Sequence, residues 1–265
     1  MITRARQEER REWYRRDEYE RSGPRRVAPQ GWGAPGPHTC SRKAPMLSRI
    51  AAAAVPVLGR LTVTCEQRTA PGPGTLIVAN HTSLVDPGVV LAALRGIGVE
   101  PVVLATAGLW RIPVLGRLLD RDGHIPVHRR TARAADALEA ARTALTEGRC
   151  VLVYGEGRIP PRLDAGEAAP EPFRTGPARL AAATGAQVVP LGQAGARRIS
   201  SGSGAKQLAG FLTAPVRRPR VHVHLGAPVR LPATLPDATA AMHRAVTAAW
   251  RSAADQLGEP VALAS

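Results

Sequence analysis

Aromatic side chains make up only 3% of the 265 residues, and lysine occurs only at Lys43 and Lys206. A chain this poor in rings offers no platform for stacking bases, and its core must be built from Ala, Leu and Val. Cysteine is equally sparse. Cys40, Cys65 and Cys150 are an odd set with no close spacing, which excludes a disulfide framework and fits reduced, cytosolic thiols. No run reaches about 18 uncharged apolar residues, so no full transmembrane helix is expected. Residues 1–26 are charged with no apolar centre, unlike a signal peptide. Acid is short as well: 21 Asp and Glu face 36 Lys and Arg, a formal net charge of +15 carried almost entirely by arginine. That balance suits nucleic acid or an anionic membrane surface equally. Zinc-finger spacing and basic heptads are missing, and the histidines and acids share no metal-ligand pattern. Nucleic-acid binding and a metal site are therefore not expected.

What is there starts with Asn-His-Thr-Ser-Leu-Val-Asp, residues 80–86, at the end of the apolar run 75–79 (TLIVA). The run reads as a buried strand and residues 87–94 as a helix, which puts the histidine and the aspartate at a strand-to-helix turn. A carboxylate that holds an imidazole by one nitrogen leaves the other free to take a proton from a hydroxyl. On an unbroken helix the five positions from His81 to Asp86 turn through roughly 500°, about 140° off one face, so the pair needs non-helical backbone at Asn80 or His81. On this block alone the alternative stays open, a loop histidine beside an aspartate that favours a helix start.

Three further blocks follow in order. Gly-His-Ile-Pro-Val-His-Arg spans residues 123–129, and Val-Leu-Val-Tyr-Gly-Glu-Gly-Arg, residues 151–158, is a strand that runs into a Gly-flanked acid and an arginine. An apolar strand at residues 187–191 carries Val188, Val189 and Pro190. From about Leu76 to Leu191 the chain resembles the glycerolipid acyltransferases that include the 1-acyl-sn-glycerol-3-phosphate acyltransferases. The resemblance implies that His81 is a general base and Asp86 its orienting partner, with Asn80 in the same block. It places Gly123, Ile125, Pro126 and Arg129 in the second block, where the arginine helps hold the acceptor's phosphate. It matches Tyr154, Gly155, Glu156, Gly157 and Arg158 to a block usually written Phe-Pro-Glu-Gly, and Pro190 to the fourth. Gly155 stands where the family has proline, and glycine does not fix φ, so a looser turn is expected.

The residue types suit the implied chemistry. Guanidinium groups such as Arg129 and Arg158 bind a phosphate through paired hydrogen bonds. Phosphate binding then places a free hydroxyl, from which His81 removes the proton as oxygen attacks a thioester carbonyl. No metal and no cofactor are expected. Acyl-CoA or acyl carrier protein is the co-substrate and a lysophospholipid the acceptor. Oxyanion donors are not assignable, although amides near residues 155–157 are candidates. Among other histidines, His222 and His224 alternate in RVHVHL, so both point to one face of a strand. A solvated or edge face is expected there, and His124 and His128 read as variable loop positions. Residues 200–204 (SSGSG) lack the lysine of a phosphate-cradling loop and read as a flexible connection.

Residues 1–45 form a charged, then Pro- and Gly-rich arm expected to be disordered, ahead of an acyltransferase domain at residues 46–265. Residues 46–63 are apolar with Arg49, Pro56 and Arg60 as interruptions, which fits either an interfacial helix or one packed on the domain. Strands are expected at 101–105 and 187–191. Helices are expected at 131–147, stopped by Gly148, at 175–184, stopped by Gly185, and at 238–257. Alternating elements of this kind argue for a single α/β domain whose mostly parallel sheet is flanked by helices, with the site on loops at the strand ends. The expected activity is transfer of an acyl group from a thioester to the hydroxyl of lysophosphatidic acid, by a peripheral protein on the cytoplasmic face of an anionic membrane, with no nucleic-acid partner. Another lyso-lipid or glycerol-3-phosphate as acceptor, or a non-catalytic membrane-binding relative, are the alternatives.

Overall fold

The computed structural model describes residues 45–129, 134–160 and 166–259. The expected disordered arm, apart from Pro45, lies outside the described residues. Helix α1 (Met46–Leu58) leads into strand β1 (Arg60–Cys65), then β2 (Leu76–Ala79), α2 (Asp86–Gly96) and β3 (Val102–Thr106). A 3-10 turn (Ala107–Arg111), α3 (Pro113–Asp122), β4 (Ile125–Val127), α4 (Ala134–Thr146) and β5 (Val151–Tyr154) follow. The chain continues with α5 (Gly176–Thr184), β6 (Val188–Ala194), a second 3-10 turn (Ala196–Arg198), α6 (Gly204–Arg217), β7 (Arg220–Leu225) and α7 (Leu235–Leu257).

The strands make one seven-stranded sheet in the order β1-β7-β6-β2-β5-β3-β4. From β6 to β4 all neighbours run parallel, while β7 is antiparallel to β6 and carries β1 parallel to itself. All four residues of β2 and all seven of β6 are buried, as strands covered on both faces must be. One face packs on α1 and α2 through Ala51, Val55, Val90 and Leu94, and the other on α4, α5 and α7 through Ala141, Leu180 and Val246. The mostly parallel α/β domain expected from the alternating pattern is therefore what forms.

A core this poor in rings packs by close approach. Gly192 on β6 faces α7, where an added Cβ would lie 2.0 Å from the backbone carbon of Ala249 and 2.1 Å from the amide nitrogen of Trp250. Helix and sheet thus touch backbone to backbone, with Ala249, Trp250, Ala253 and Ala254 buried along the seam. Helix α7 starts at Thr234, whose side chain accepts from the Asp237 amide, and stops at left-handed Gly258.

Several expectations are corrected. Residues 46–63 are not one helix: the chain turns extended at Gly59, and RLTVTC pairs with β7. Hydropathy continues across that junction, so the apolar run hid a change of element. His222 and His224 are not on a solvated face but buried at 2% and 3% exposure. They form a polar ladder with β1, His222 bonding Thr62 and Thr64 at 2.7 and 2.8 Å and His224 bonding Thr64 at 2.8 Å. Cross-strand pairing of Thr62 with His222 and Thr64 with His224 brings the partners together. His124 is not a variable loop position either, since its Nδ1 accepts the Val103 amide at 3.0 Å and burial drives its pKa down to about 4. The helix expected from residue 131 is described from Ala134 onward.

Substituting Gly192→Ala should destabilise the protein by about 3 kcal/mol or more, because the blocking atoms are backbone and cannot rotate away. Thermal unfolding checks this, and a melting temperature equal to the parent's would contradict the close contact.

Candidate functional site

The parallel strands β2, β5, β3 and β4 end on the same edge of the sheet, and the first three motif blocks sit on the loops that leave it. Residues 80–83 leave β2 in irregular backbone, a turn at 84–85 follows, and α2 begins at Asp86. The expected break in helical geometry is present, and with it the pair: His81 Nδ1 lies 2.8 Å from Asp86 Oδ2. Asp86 has no exposed surface. Its carboxylate also accepts the amides of Thr82 at 2.5 Å and Ser83 at 2.8 Å and the Thr82 hydroxyl at 3.2 Å. The start of α2 adds the favourable end of a helix dipole. A carboxylate only accepts, so Nδ1 carries the hydrogen and Nε2 the lone pair of the neutral ring.

The imidazole is not turned into the interior. Its side chain keeps 12% exposure and stacks on the Tyr154 ring, with centroids 4.2 Å apart and planes 21° from parallel. Tyr154 ends β5, directly alongside β2. Two residues on, Glu156 Oε1 accepts the His81 backbone amide at 2.7 Å, and its other oxygen accepts the Glu171 amide at 3.2 Å. Burial pushes the Glu156 carboxyl up to about 7, against the lowering effect of those two amides. Arg158 pairs with Glu171 at 2.9 Å while half exposed, and the same Glu171 gives its backbone amide to Glu156.

Replacement of the family's proline by Gly155 does not loosen this turn. Gly155 donates its amide to Ala79 carbonyl at 3.0 Å, which proline cannot do, and accepts from Arg174 at 2.9 Å. A Cβ at this position would lie 2.3 Å from the Phe173 ring. Gly157, two residues later, takes positive φ of 69° and closes a turn onto Tyr154 carbonyl.

A third segment, β6 and the turn after it, holds the histidine loop from the other side. Asn80 and Gln193 exchange three hydrogen bonds of 2.9 to 3.1 Å, all buried. Arg197 donates to Thr82 carbonyl at 3.2 Å, and Ser83 Oγ donates to Ser200 carbonyl at 2.7 Å. Residues 200–204 are therefore not merely a flexible connection. Arg197, only 3% exposed, shares with His81, Thr82 and Glu156 a cavity of about 10 Å³, room for one hydroxyl-sized group. Pro160 and residues 168–170 close its far wall. Glu167 anchors that wall, accepting the Gly195 amide at 2.8 Å and the Trp250 indole at 3.0 Å.

Not every expected residue meets this cavity. Of the candidates, His81 and Glu156 line it, and Asp86 and Asn80 stand behind them. Gly123 is the left-handed cap of α3, Ile125 is core, and Pro190 is buried within β6, where its carbonyl accepts from Gly226. These three shape the fold and do not face the cavity. Pro126 sits in β4, and Arg129 is exposed just beyond that strand. Three strand spacings put it roughly 14 Å along the edge from β2. Gln193, Arg197 and the Ser200 carbonyl are the contributors that pattern reasoning missed, and Tyr154 was placed in the third block without its stacking role. None of the three missed residues belongs to a recognisable block.

Glu156 generates a pH dependence. Below about pH 4.5 it is protonated in folded and unfolded chains alike. Between about 4.5 and 7 the unfolded chain releases the proton while the folded one keeps it, so stability falls with rising pH and levels off above 7. The full decline is roughly 3 kcal/mol. Unfolding midpoints measured across this range should fall in the parent and fall less in Glu156→Gln. Equal slopes would remove the buried acid as their source.

A family model described as Acyltransferase matches residues 60–193. A 1-acyl-sn-glycerol-3-phosphate acyltransferase of Borreliella burgdorferi is 29% identical over 133 residues, which is 50% of this chain and 50% of the relative. The chain thus spans about half the length of that curated relative. In fold it is similar to the crystal structure of the 1-acyl-sn-glycerophosphate (LPA) acyltransferase PlsC from Thermotoga maritima, with a TM-score of 0.60 over 79% of this chain and 78% of that one, at 19% identity. The family match covers every strand from β1 through most of β6 and the loops bearing His81, Asp86 and Glu156, and the chain belongs to the Acyltransferase family.

Proposed function

We propose that the protein transfers an acyl group from a thioester, acyl-CoA or acyl carrier protein, to the free hydroxyl of lysophosphatidic acid, giving phosphatidic acid. The observation that carries this reading is the His81–Asp86 pair at 2.8 Å, with the ring at the wall of a cavity that Glu156 and Arg197 also line. Asp86 fixes the tautomer, so Nε2 is the base. The acceptor oxygen loses its proton to Nε2 as it bonds to the thioester carbon, and the carbonyl oxygen takes the charge. Collapse of that adduct breaks the carbon–sulfur bond, and the imidazolium returns the proton to the leaving thiolate. No acyl-enzyme is needed. The cavity has room for the reacting hydroxyl alone, so the rest of a lipid acceptor lies outside it, along the edge that carries Arg158 and, further on, Arg129.

The name of the curated relative and that of the similar structure both point to a lysophosphatidic acid acceptor. Glycerol-3-phosphate and other lyso-lipids share the phosphate that the arginines recognise. In this reading the protein works at the cytoplasmic face of an anionic membrane, as a peripheral protein. No helix among the described residues is long and apolar enough to cross one.

Release of free thiol, measured with each acyl donor against a panel of phosphorylated acceptors, tests the proposal. Acceptor-dependent release is expected with lysophosphatidic acid. His81→Ala should lower kcat roughly 1,000-fold or more and Asp86→Asn by a similar order. Arg129→Ala should raise the acceptor KM roughly tenfold or more with a smaller change in kcat. Full turnover in His81→Ala, or no release with any acceptor, would end it.

A further inference from the structure

Helix α6 has one buried residue, Ala214, in its fourteen. Leu208, Phe211, Leu212 and Val216 recur at helical spacing and are 60%, 43%, 67% and 88% exposed. Single exposed apolar residues are ordinary, but a contiguous stripe marks a surface that meets something. The stripe continues onto α1. Arg218, at the end of α6, donates to Pro56 carbonyl at 3.2 Å, and α1 exposes Ile50 and Val57. Midway along, α6 packs on the segment that holds the His81 loop. Gly210 rests on Ile199 carbonyl, the neighbouring Ser200 carbonyl holds Ser83, and Leu84 in that loop is 66% exposed.

The segments that carry this face are basic and free of acid. Residues 197–236 contain no Asp or Glu; of their cations Arg197 is buried at the site and Arg198 pairs with Glu259, and Lys206, Arg217, Arg218, Arg220 and Arg230 remain to border the stripe. Residues 21–65 also lack any acid, Arg49 lies on α1 and Arg60 follows it. An exposed apolar stripe bordered by cations, with no carboxylate on either helix, complements an anionic phospholipid surface.

We propose that α6, together with the exposed side of α1, docks on an anionic phospholipid bilayer, the apolar stripe entering the headgroup boundary. Docking brings Leu84, and with it the His81 loop, against the leaflet, so that a lipid acceptor enters the site sideways from the membrane. Delivery of the acceptor rests on the acyltransferase reading, whereas docking itself does not.

Sedimentation with vesicles tests it, comparing phosphatidylcholine alone with phosphatidylcholine containing phosphatidylglycerol. The parent should pellet with the phosphatidylglycerol vesicles and less so as salt rises. Leu208→Glu with Leu212→Glu should reduce that binding at least tenfold while melting temperature and thiol release with a water-soluble short-chain acceptor stay unchanged. Undiminished pelleting of the variant, or no pelleting of the parent, overturns the assignment. So does a parent dimer that the variant converts to monomer without any change in vesicle binding, since α6 would then face a second copy. Should the parent release no thiol with any acceptor while the variant still loses the vesicles, docking stands and the acyltransferase reading falls.

Discussion

Asp86 carries its carboxylate with no exposed surface, and a buried charge persists only where donors surround it. Those donors are the amides of Thr82 and Ser83, the Thr82 hydroxyl and the His81 ring. Satisfying one charge therefore dictates the path of the loop. The loop's own groups are tied off in turn, Asn80 to Gln193, Thr82 to Arg197 and Ser83 to Ser200. The imidazole is thus aimed by a network that begins on β2 and ends beyond β6, two strands hydrogen-bonded to each other. For the proposed transfer, preorganisation of this kind means that His81 needs no rearrangement to take a proton.

The same economy of acid explains the surface. Among the described residues, Asp86, Asp122, Glu156 and Glu167 are buried. Asp122 accepts the first two amides of α1, from Met46 and Leu47 at 2.9 and 2.6 Å, a cap supplied from another helix. Glu156 and Glu167 serve loop amides in a similar manner. Carboxylates spent inside the fold do not offset arginine outside it, so the exterior is more basic than composition alone conveys.

How far the sequence reveals all this depends on the kind of constraint. The central strands were legible because parallel strands buried on both faces read as short apolar runs, and His81 with Asp86 because both lie in one seven-residue block. Strand β1 was not, since RLTVTC continues the hydropathy of α1 and its partner β7 is 160 positions away at Arg60. Burial of His222 and His224 depended on that same pairing. Gln193 and Arg197 were invisible for the same reason. Each is an ordinary polar residue near a strand end, and only the parallel pairing of β2 with β6 brings it to the histidine loop. Helix α6 was missed because its apolar stripe follows a Gly- and Ser-rich stretch and faces outward, away from the core.

One consequence follows from the turn at Gly155. The Phe173 ring occupies the space any β-carbon there would need, and the 155 amide is spoken for by Ala79. Positions 155 and 173 are consequently coupled sterically. A proline at the former needs a smaller side chain at the latter, and that exchange also removes the edge-on contact of Phe173 with His243 on α7. The conformation of the turn that carries Glu156 is thereby coupled to the packing of α7.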